Sequence, residues 1–388
     1  MIKNIYNLRV EKKMLKIADG IEIETLTKPI IGKLHHAHCS SIVAFPDGEL
    51  LAGWYHAITE ANHNQKIYLS RKLKGETEWT EPVPMPDPSK TRFDGNPVLW
   101  IAPDTGLLWN FYNVGYGWSV CWAKSRTSKD RGHTWTKPKN VYPLISRGIK
   151  NPPILTSKGW YVLPAYVEFK FLRAVFFISK NRGKSWKQSR KVDLKPEIIP
   201  QGYEEKKGRQ VEQPTLIERE DGSLFALCRN DGRPMKRMLQ TESHDGGFTW
   251  TPAVNGKLPN PAGGFNMIKL TNGNVAIVYN HAPAPQNEVK WRNPLSIALS
   301  EDDGKTWQYR RNLLEWHPDE NQETSQALKF EYPTLTEGLD NNIHITWSLS
   351  HPEKIDDKDY RFTDIQYTFV TEDWIKQRPY FEEAWELN

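Results

Sequence analysis

Apolar residues recur along this chain in short alternating runs, and successive runs are split by a tight polar turn. In the stretch EQPTLIEREDGSLFALCR, Glu212 to Arg229, two such runs flank Asp221-Gly222. This is the pattern of a β-hairpin whose turn glycine takes a positive φ. A hairpin returns its chain to the rim it left, so Glu212 and Arg229 are expected to be neighbours in space. The same pattern centres on Gly48 (FPDGELL), Gly106 (PDTGLL), Gly159 (TSKGWYVL), Gly273 (LTNGNVAI) and Asn342 (LDNNIHI). With Gly222 these make six hairpins, spaced at roughly the length of one four-stranded unit. An all-β chain follows, a single six-bladed β-propeller over residues 20–388 preceded by an N-terminal extension of residues 1–20. The segment GIEIETL is expected to add an outer strand to the last blade and close the ring.

A second repeat supports this reading. SKDRGHTW (Ser128–Trp135), SKNRGKSW (Ser179–Trp186), SHDGGFTW (Ser243–Trp250) and SEDDGKTW (Ser300–Trp307) share Ser-x-Asp/Asn-x-Gly-x-Thr/Ser-Trp. A degenerate fifth copy, SRKLKGETEW, spans Ser70–Trp79. In such a turn the Asp or Asn accepts backbone hydrogen bonds, the Gly takes a left-handed conformation, and the Trp packs between neighbouring units.

Composition sharpens the picture. Apolar residues are only 38% of the 388, but 16 Trp, 15 Tyr and 14 Phe supply large buried areas. With 25 Gly and 27 Pro, turns are frequent. A net charge of +5 suits an acidic ligand and is too small and dispersed for nucleic acid. Three cysteines, Cys39, Cys121 and Cys228, have no CxxC spacing, which argues against a disulfide framework and against a zinc site. No stretch approaches the roughly 18 apolar residues of a membrane span. The N-terminus has no apolar leader segment, so a cytoplasmic protein that needs no metal or cofactor is expected.

The inner hairpins place polar residues at one rim. Counting ten residues back from the turn residue gives His38, Asn96, Glu212 and Tyr332; in two shorter hairpins the equivalents are Asn151 and Asn266. Counting about seven forward gives Tyr55, Asn113, Tyr166, Arg229 and Asn280. Polar residues at strand ends are ordinary where they meet water. A ring of Glu, Arg, Tyr and His at matched positions reads instead as a ligand funnel.

These motifs resemble the sialidase superfamily, including a divergent bacterial branch with a His-rich start to its first blade. The repeated turns look like that family's Asp boxes, which lie on the outer part of the blades and are structural. The resemblance implies that Tyr332 is the nucleophile and Glu212 the carboxylate that activates it. It also implies that Arg229 and Arg292 are two of three arginines that bind a sugar carboxylate. Such chemistry is sound: a carboxylate can take the proton of a tyrosine, and arginine grips a carboxylate with paired charged hydrogen bonds. Sialidases are known for using tyrosine in place of a second carboxylate.

Two departures stand out. His38, within HHAHCSSIVAFPDG, occupies the place of the first triad arginine. The loop YHAITEANHNQKIYLS holds Glu60 and His63 but no Asp where the family has its acid. Glu60 or His63 could donate a proton, and His36 or His38 could act as a base or bind substrate. Asn96, Asn151, Tyr55 and Asn280 are further candidate substrate ligands. Three functions remain open: an exo-glycosidase acting on a terminal acidic sugar, a polysaccharide lyase acting on a uronate, and a non-catalytic carbohydrate-binding propeller.

Overall fold

The computed structural model describes residues 15–27, 36–168, 172–199, 211–230, 237–282, 292–317, 327–355 and 358–377, side chains at 353–355 and 358–359 excepted. His35 and residues 1–14 of the N-terminal extension lie outside them. Strands dominate: the helical elements among the described residues are the short helix Glu372–Lys376 and a single 3-10 turn at Pro196–Ile198.

The expected hairpins form. Gly48, Gly106, Gly159, Gly222 and Gly273 all have φ between 65° and 93°, the region open to glycine without strain. Each turn joins the first and second strands of an antiparallel unit. Phe93–Ile101, Leu108–Gly117, Val120–Ser128 and Lys139–Asn140 make one four-stranded sheet. Glu212–Glu218, Leu224–Arg229, Arg237–Ser243 and Val254–Pro259 make another. A five-stranded sheet is built around Tyr161–Val167 and Arg173–Ser179. A second one runs from Asn266–Lys269 to Tyr309–Trp316 and gains Leu15–Ile17 at its outer edge.

The largest sheet has eight strands. One half contains Lys329–Glu337, Asn342–Ile355 and Lys358–Thr371; the other contains His36–Ala44, Leu50–Ala57, Lys66–Lys72 and Val83–Pro84. A single parallel pairing, Thr363 with His36, joins them. Hydrogen bonding therefore gives five sheets among the described residues, where six separate blades were expected. Glu24 and Thr25, from the segment GIEIETL, pair with Tyr367 and Gln366 at the outer edge of the last strands.

Burial explains the arrangement. Strands such as Leu50–Ala57 and Tyr161–Val167 are buried at every position. Both faces of these sheets are covered, as in stacked sheets whose inner faces interdigitate. Apolar clusters bridge successive units. Leu51 meets Leu99 and Leu108; Phe111 meets Leu163 and Phe177; Phe176 meets Leu216 and Ala226. Phe225 then meets Ile277 and Ala298, Leu299 meets Ile345 and Trp347, and Ile365 meets Ile42 and Trp54. The last cluster returns to the first unit and closes the circle, which makes the fold a β-propeller.

The repeated turns lie between the third and fourth strands. In the first, Asp130 accepts hydrogen bonds from Ser128 Oγ (2.7 Å), Thr134 N (2.8 Å) and Thr134 Oγ1 (2.6 Å). Trp135 Nε1 donates to the Gly132 carbonyl at 3.0 Å. Asp245 and Asp302 repeat these bonds; Asn181 accepts from Ser179 Oγ and Ser185 N, but its Nδ2 donates to Ser185 Oγ. Trp135, Trp186, Trp250 and Trp307 each pack in a cluster shared with the preceding unit. Fully burying such a ring is worth about 2–3 kcal/mol, which Trp307 approaches, while the other three are half-buried and contribute less.

Candidate active site

The inner strands carry a matched irregularity. Cys39 (φ 54°), Asn96 (47°), Gln213 (47°) and Tyr332 (47°) are non-glycine residues in the left-handed region. Each sits where the pairing register shifts: between His38 and Ser41, Gly95 and Val98, Glu212 and Thr215, Glu331 and Thr334. A β-bulge of this kind re-aims side chains and leaves a residue unpaired. Pro97, Pro214 and Pro333 follow three of the four, and Pro152 follows Asn151. Proline has no N–H to lose where the ladder is broken. Gly-Asn-Pro, Glu-Gln-Pro and Glu-Tyr-Pro are thus one structural motif, which Lys-Asn-Pro shares in sequence alone.

This motif corrects the sequence count. The left-handed turn residue of the last hairpin is Asn341 (φ 58°), not Asn342. Ten residues back from it is Glu331. The turn at Gly106 is one residue longer than those at Gly48 and Gly222, closing on Ala102. Glu331 is therefore the counterpart of Glu212 and His38, whereas Tyr332 is the counterpart of Gln213, Asn96 and Cys39.

The shift decides what surrounds Tyr332. Its hydroxyl accepts from Arg229 Nη1 at 2.9 Å and from Gln213 Nε2 at 3.2 Å. Arg229 Nη1 also donates to Gln213 Oε1 at 3.1 Å. Glu212 stands opposite Arg229 in the strand register, as the hairpin required, with Oε1 at 3.4 Å from Arg229 Nε. The direct bond expected between Glu212 and the Tyr332 hydroxyl is not formed; Glu212 reaches the tyrosine through Arg229. Burial would lower the Arg229 pKa, but Glu212 and Tyr332 outweigh it and hold the guanidinium charged.

Arg292 lies close to the ring too, its guanidinium carbon 5.3 Å from the Tyr332 centroid. It is hydrogen-bonded to Glu331. Burial would raise the Glu331 pKa, but Arg292, His38 and Lys329 outweigh it and keep it below its ordinary value. His38 meets the Tyr332 ring edge-on at 4.7 Å and stacks on His36 at 5.0 Å. Burial lowers the His38 pKa to about 3 against the pull of Glu331, so the imidazole is neutral at physiological pH. Its Nδ1 is buried without a hydrogen-bond partner. The structure thus brings together Tyr332, Glu212, Arg229, Arg292, His38 and His36.

Tyr55 joins this cluster, whereas the remaining candidates are engaged otherwise. The Asn96 and Asn113 amides donate to the Ile149 carbonyl at 3.4 and 3.2 Å. Asn151 donates to the carbonyls of Gln213 and Pro214, and Asn280 to those of Pro294 and Phe330. These amides stitch neighbouring sheets together, because the bulges leave backbone carbonyls that need donors. Tyr55 is buried beside His38 at 5.7 Å and its hydroxyl donates to Glu60 Oε1 at 3.1 Å. His63 is exposed, and its carbonyl accepts from Lys66 Nζ at 2.7 Å. Its imidazole has no contact with the Tyr332 cluster among the described residues.

Four residues escaped the sequence reading. Gln213 and Glu331 were legible in the shared Glu-x-Pro. Lys150, from Lys-Asn-Pro, is buried; its ammonium donates to Asn151 Oδ1 (3.2 Å), Phe265 O (3.2 Å) and Pro333 O (3.0 Å). Burial lowers its pKa to about 8. It anchors the strand segment that carries Tyr332, 5.9 Å from that ring. Glu168 has no sequence signal beyond its place two residues after Tyr166. Among the described residues no group of three or more His, Cys, Asp or Glu is placed to hold a metal. The three cysteines are buried and unpaired.

The chain belongs to the BNR repeat-like domain family, which matches residues 48–345. No curated protein matches it in sequence. Solved structures share the fold at low identity. A protein of unknown function from Dyadobacter fermentans is 13% identical, with a TM-score of 0.66 over 92% of this chain and 98% of that one. A Hadza microbial sialidase is 16% identical, with a TM-score of 0.65 over 88% of this chain and 66% of that one. The intramolecular trans-sialidase of Ruminococcus gnavus, solved with oseltamivir carboxylate, is 14% identical, with a TM-score of 0.63 over 90% and 98%. The fold is that of the sialidase-like propellers.

Proposed function

We propose that this protein is an exo-acting glycosidase of sialidase type that removes a terminal carboxylate-bearing sugar from an acidic glycan. The observation that carries the reading is the Tyr332 hydroxyl, which accepts from Arg229 and Gln213 and is flanked by Arg292. Two donors stabilise negative charge as it develops on that oxygen, so the tyrosine is prepared to attack an anomeric carbon. Its proton leaves for Glu212, the carboxylate next in the chain of contacts; catalytic hydrogen bonds commonly close only in the substrate complex. Arg229 and Arg292 are the ligands of the sugar carboxylate. Arg292 uses only Nη1 toward the protein among its described bonds, which leaves donors for a paired grip. His38 fills the third position with a neutral imidazole.

The lyase reading is weaker on the same geometry. Abstraction of a proton from carbon requires a His or Tyr base, and an imidazole lowered to about 3 is a poor proton acceptor, which leaves Tyr332 as the one base for a lyase among these two. A lectin would have no use for an oriented phenol beside two arginines. We also read the architecture as six four-stranded units: the eight-stranded sheet divides at its single parallel pairing, and six apolar clusters bridge successive units.

The test is a panel of aryl glycosides of acidic sugars beside uronate oligosaccharides. Release of the aryl group from at least one acidic glycoside is expected, without an unsaturated product. Ultraviolet absorbance of an unsaturated uronate would establish the lyase instead.

A further inference from the structure

Glu168 follows the strand Tyr161–Val167, and its N–H donates to the Ser146 carbonyl at 3.2 Å. Residues two apart on an extended chain share a face, so Glu168 lies on the side to which Tyr166 points. The Tyr166 ring passes over Gly148, where even a Cβ would fall 2.2 Å from its Cζ. Glu212, Arg229 and Glu60 all act electrostatically on the Glu168 carboxyl, as Glu168, Tyr332 and Glu212 act on Tyr166. It therefore lies beside the Tyr332 cluster on the third unit, within electrostatic reach of Glu60. Its Oε2 is buried without a hydrogen-bond partner. An ionised carboxylate is costly in such a place and a neutral acid costs far less.

We propose that Glu168 is the general acid of this site, donating its proton to the oxygen of the departing group. This assignment rests on the glycosidase reading above. As Tyr332 Oη bonds to the anomeric carbon, the glycosidic C–O bond breaks and its electron pair stays on the leaving oxygen, which takes the Glu168 proton. The resulting carboxylate then removes a proton from water, whose oxygen attacks the anomeric carbon and releases Tyr332, which recovers its proton from Glu212. Burial, with Glu212 as the first neighbouring charge, pushes the Glu168 pKa up to about 7 despite Arg229, so it holds its proton near neutral pH. Glu60 differs: it is exposed, and one of its oxygens accepts the Tyr55 hydroxyl.

The experiment compares Glu168→Gln and Glu60→Gln with the unmodified protein on aryl and alkyl glycosides of one acidic sugar. An acid catalyst matters little when the leaving group departs unaided, and its loss costs about 10²–10⁴-fold when it does not. Glu168→Gln is expected to keep kcat/KM for nitrophenyl glycosides within about threefold, with kcat lowered because water attack has lost its base, and to lose kcat/KM for alkyl glycosides by that larger factor. The basic limb of kcat/KM near pH 7 should vanish with it. Azide should restore turnover of nitrophenyl substrates by Glu168→Ala, because azide attacks the glycosyl-enzyme without a base. Equal losses across leaving groups, an unchanged basic limb, or the leaving-group dependence appearing in Glu60→Gln would overturn the assignment and leave the glycosidase standing. A wild-type protein that cleaves no acidic glycoside would overturn both.

Discussion

Single side chains at this site are set by what lies across the axis from them. Tyr332 and Gln213 are 119 residues apart, and each is the bulge residue of its own unit. Tyr332→Phe deletes one oxygen and leaves both donors in place. Turnover should fall about 10²-fold or more, since the nucleophile is lost. The midpoint of urea unfolding should drop by no more than the worth of two hydrogen bonds, about 1 kcal/mol each. His38 gives a pH prediction. The unfolded chain protonates its imidazole near 6.5, whereas the folded site holds it neutral down to about 3. Stability is therefore unaffected by this group above pH 6.5 and is lost as pH falls from there toward 3, at up to about 1.4 kcal/mol per unit. Urea titrations should show that slope in the wild type and a shallower one in His38→Gln. Glu168 works in the opposite sense. It keeps its proton to about 7, so its contribution is present below 4.5 and is lost as pH rises through 7.

The elements follow local rules with one exception. Hairpin turns and repeated third-strand turns were legible because Gly, Asn and Asp have a mechanism at those positions. The bulges were not, because a single extra residue has no signature in hydrophobic alternation, although the following proline marked three of them. Slipping a strand by one residue exchanges its faces, so alternation without the bulge puts Tyr332, and not Glu331, in line with Glu212. Two glycines separate backbone strain from packing. Gly48 has φ 93° with nothing within 4 Å of a Cβ, whereas Gly183 has φ 77° and its Cβ would lie 2.4 Å from Trp109 Cη2. Gly48→Ala should destabilise by about 1 kcal/mol. Gly183→Ala should cost that plus about 1–3 kcal/mol of overpacking against the neighbouring unit. Equal losses in guanidinium unfolding would show that the Trp109 contact carries no weight.

At the scale of the molecule, ring closure depends on the N-terminal segment. Glu24 and Thr25 pair with the last long strand, Leu26 N donates to the Ile365 carbonyl at 2.8 Å, and Thr27 Oγ1 donates to Asp364 at 2.8 Å. Leu26 is buried in the cluster that joins the last unit to the first. Leu26→Ala should therefore cost about 2–5 kcal/mol, read as a lower thermal midpoint. An unchanged midpoint would mean that the ring closes without this strand.

The sequence by itself determined the all-β class, the propeller, the closing strand and the identities of Tyr332, Glu212, Arg229, Arg292 and His38 as one polar cluster. The class, the propeller and the closing strand follow from local periodicity, turn chemistry and repeats, which need no knowledge of distant contacts, whereas the cluster residues, Arg292 above all, follow from the family resemblance of their motifs. Only the tertiary structure decided which polar groups meet. It gave the Tyr332 hydroxyl to Arg229 and Gln213, spent Asn96, Asn151 and Asn280 on carbonyls of neighbouring sheets, and buried Lys150 beneath the tyrosine. The physical reason is that buried donors and acceptors must be satisfied, and around a propeller axis their partners come from other units, far along the chain.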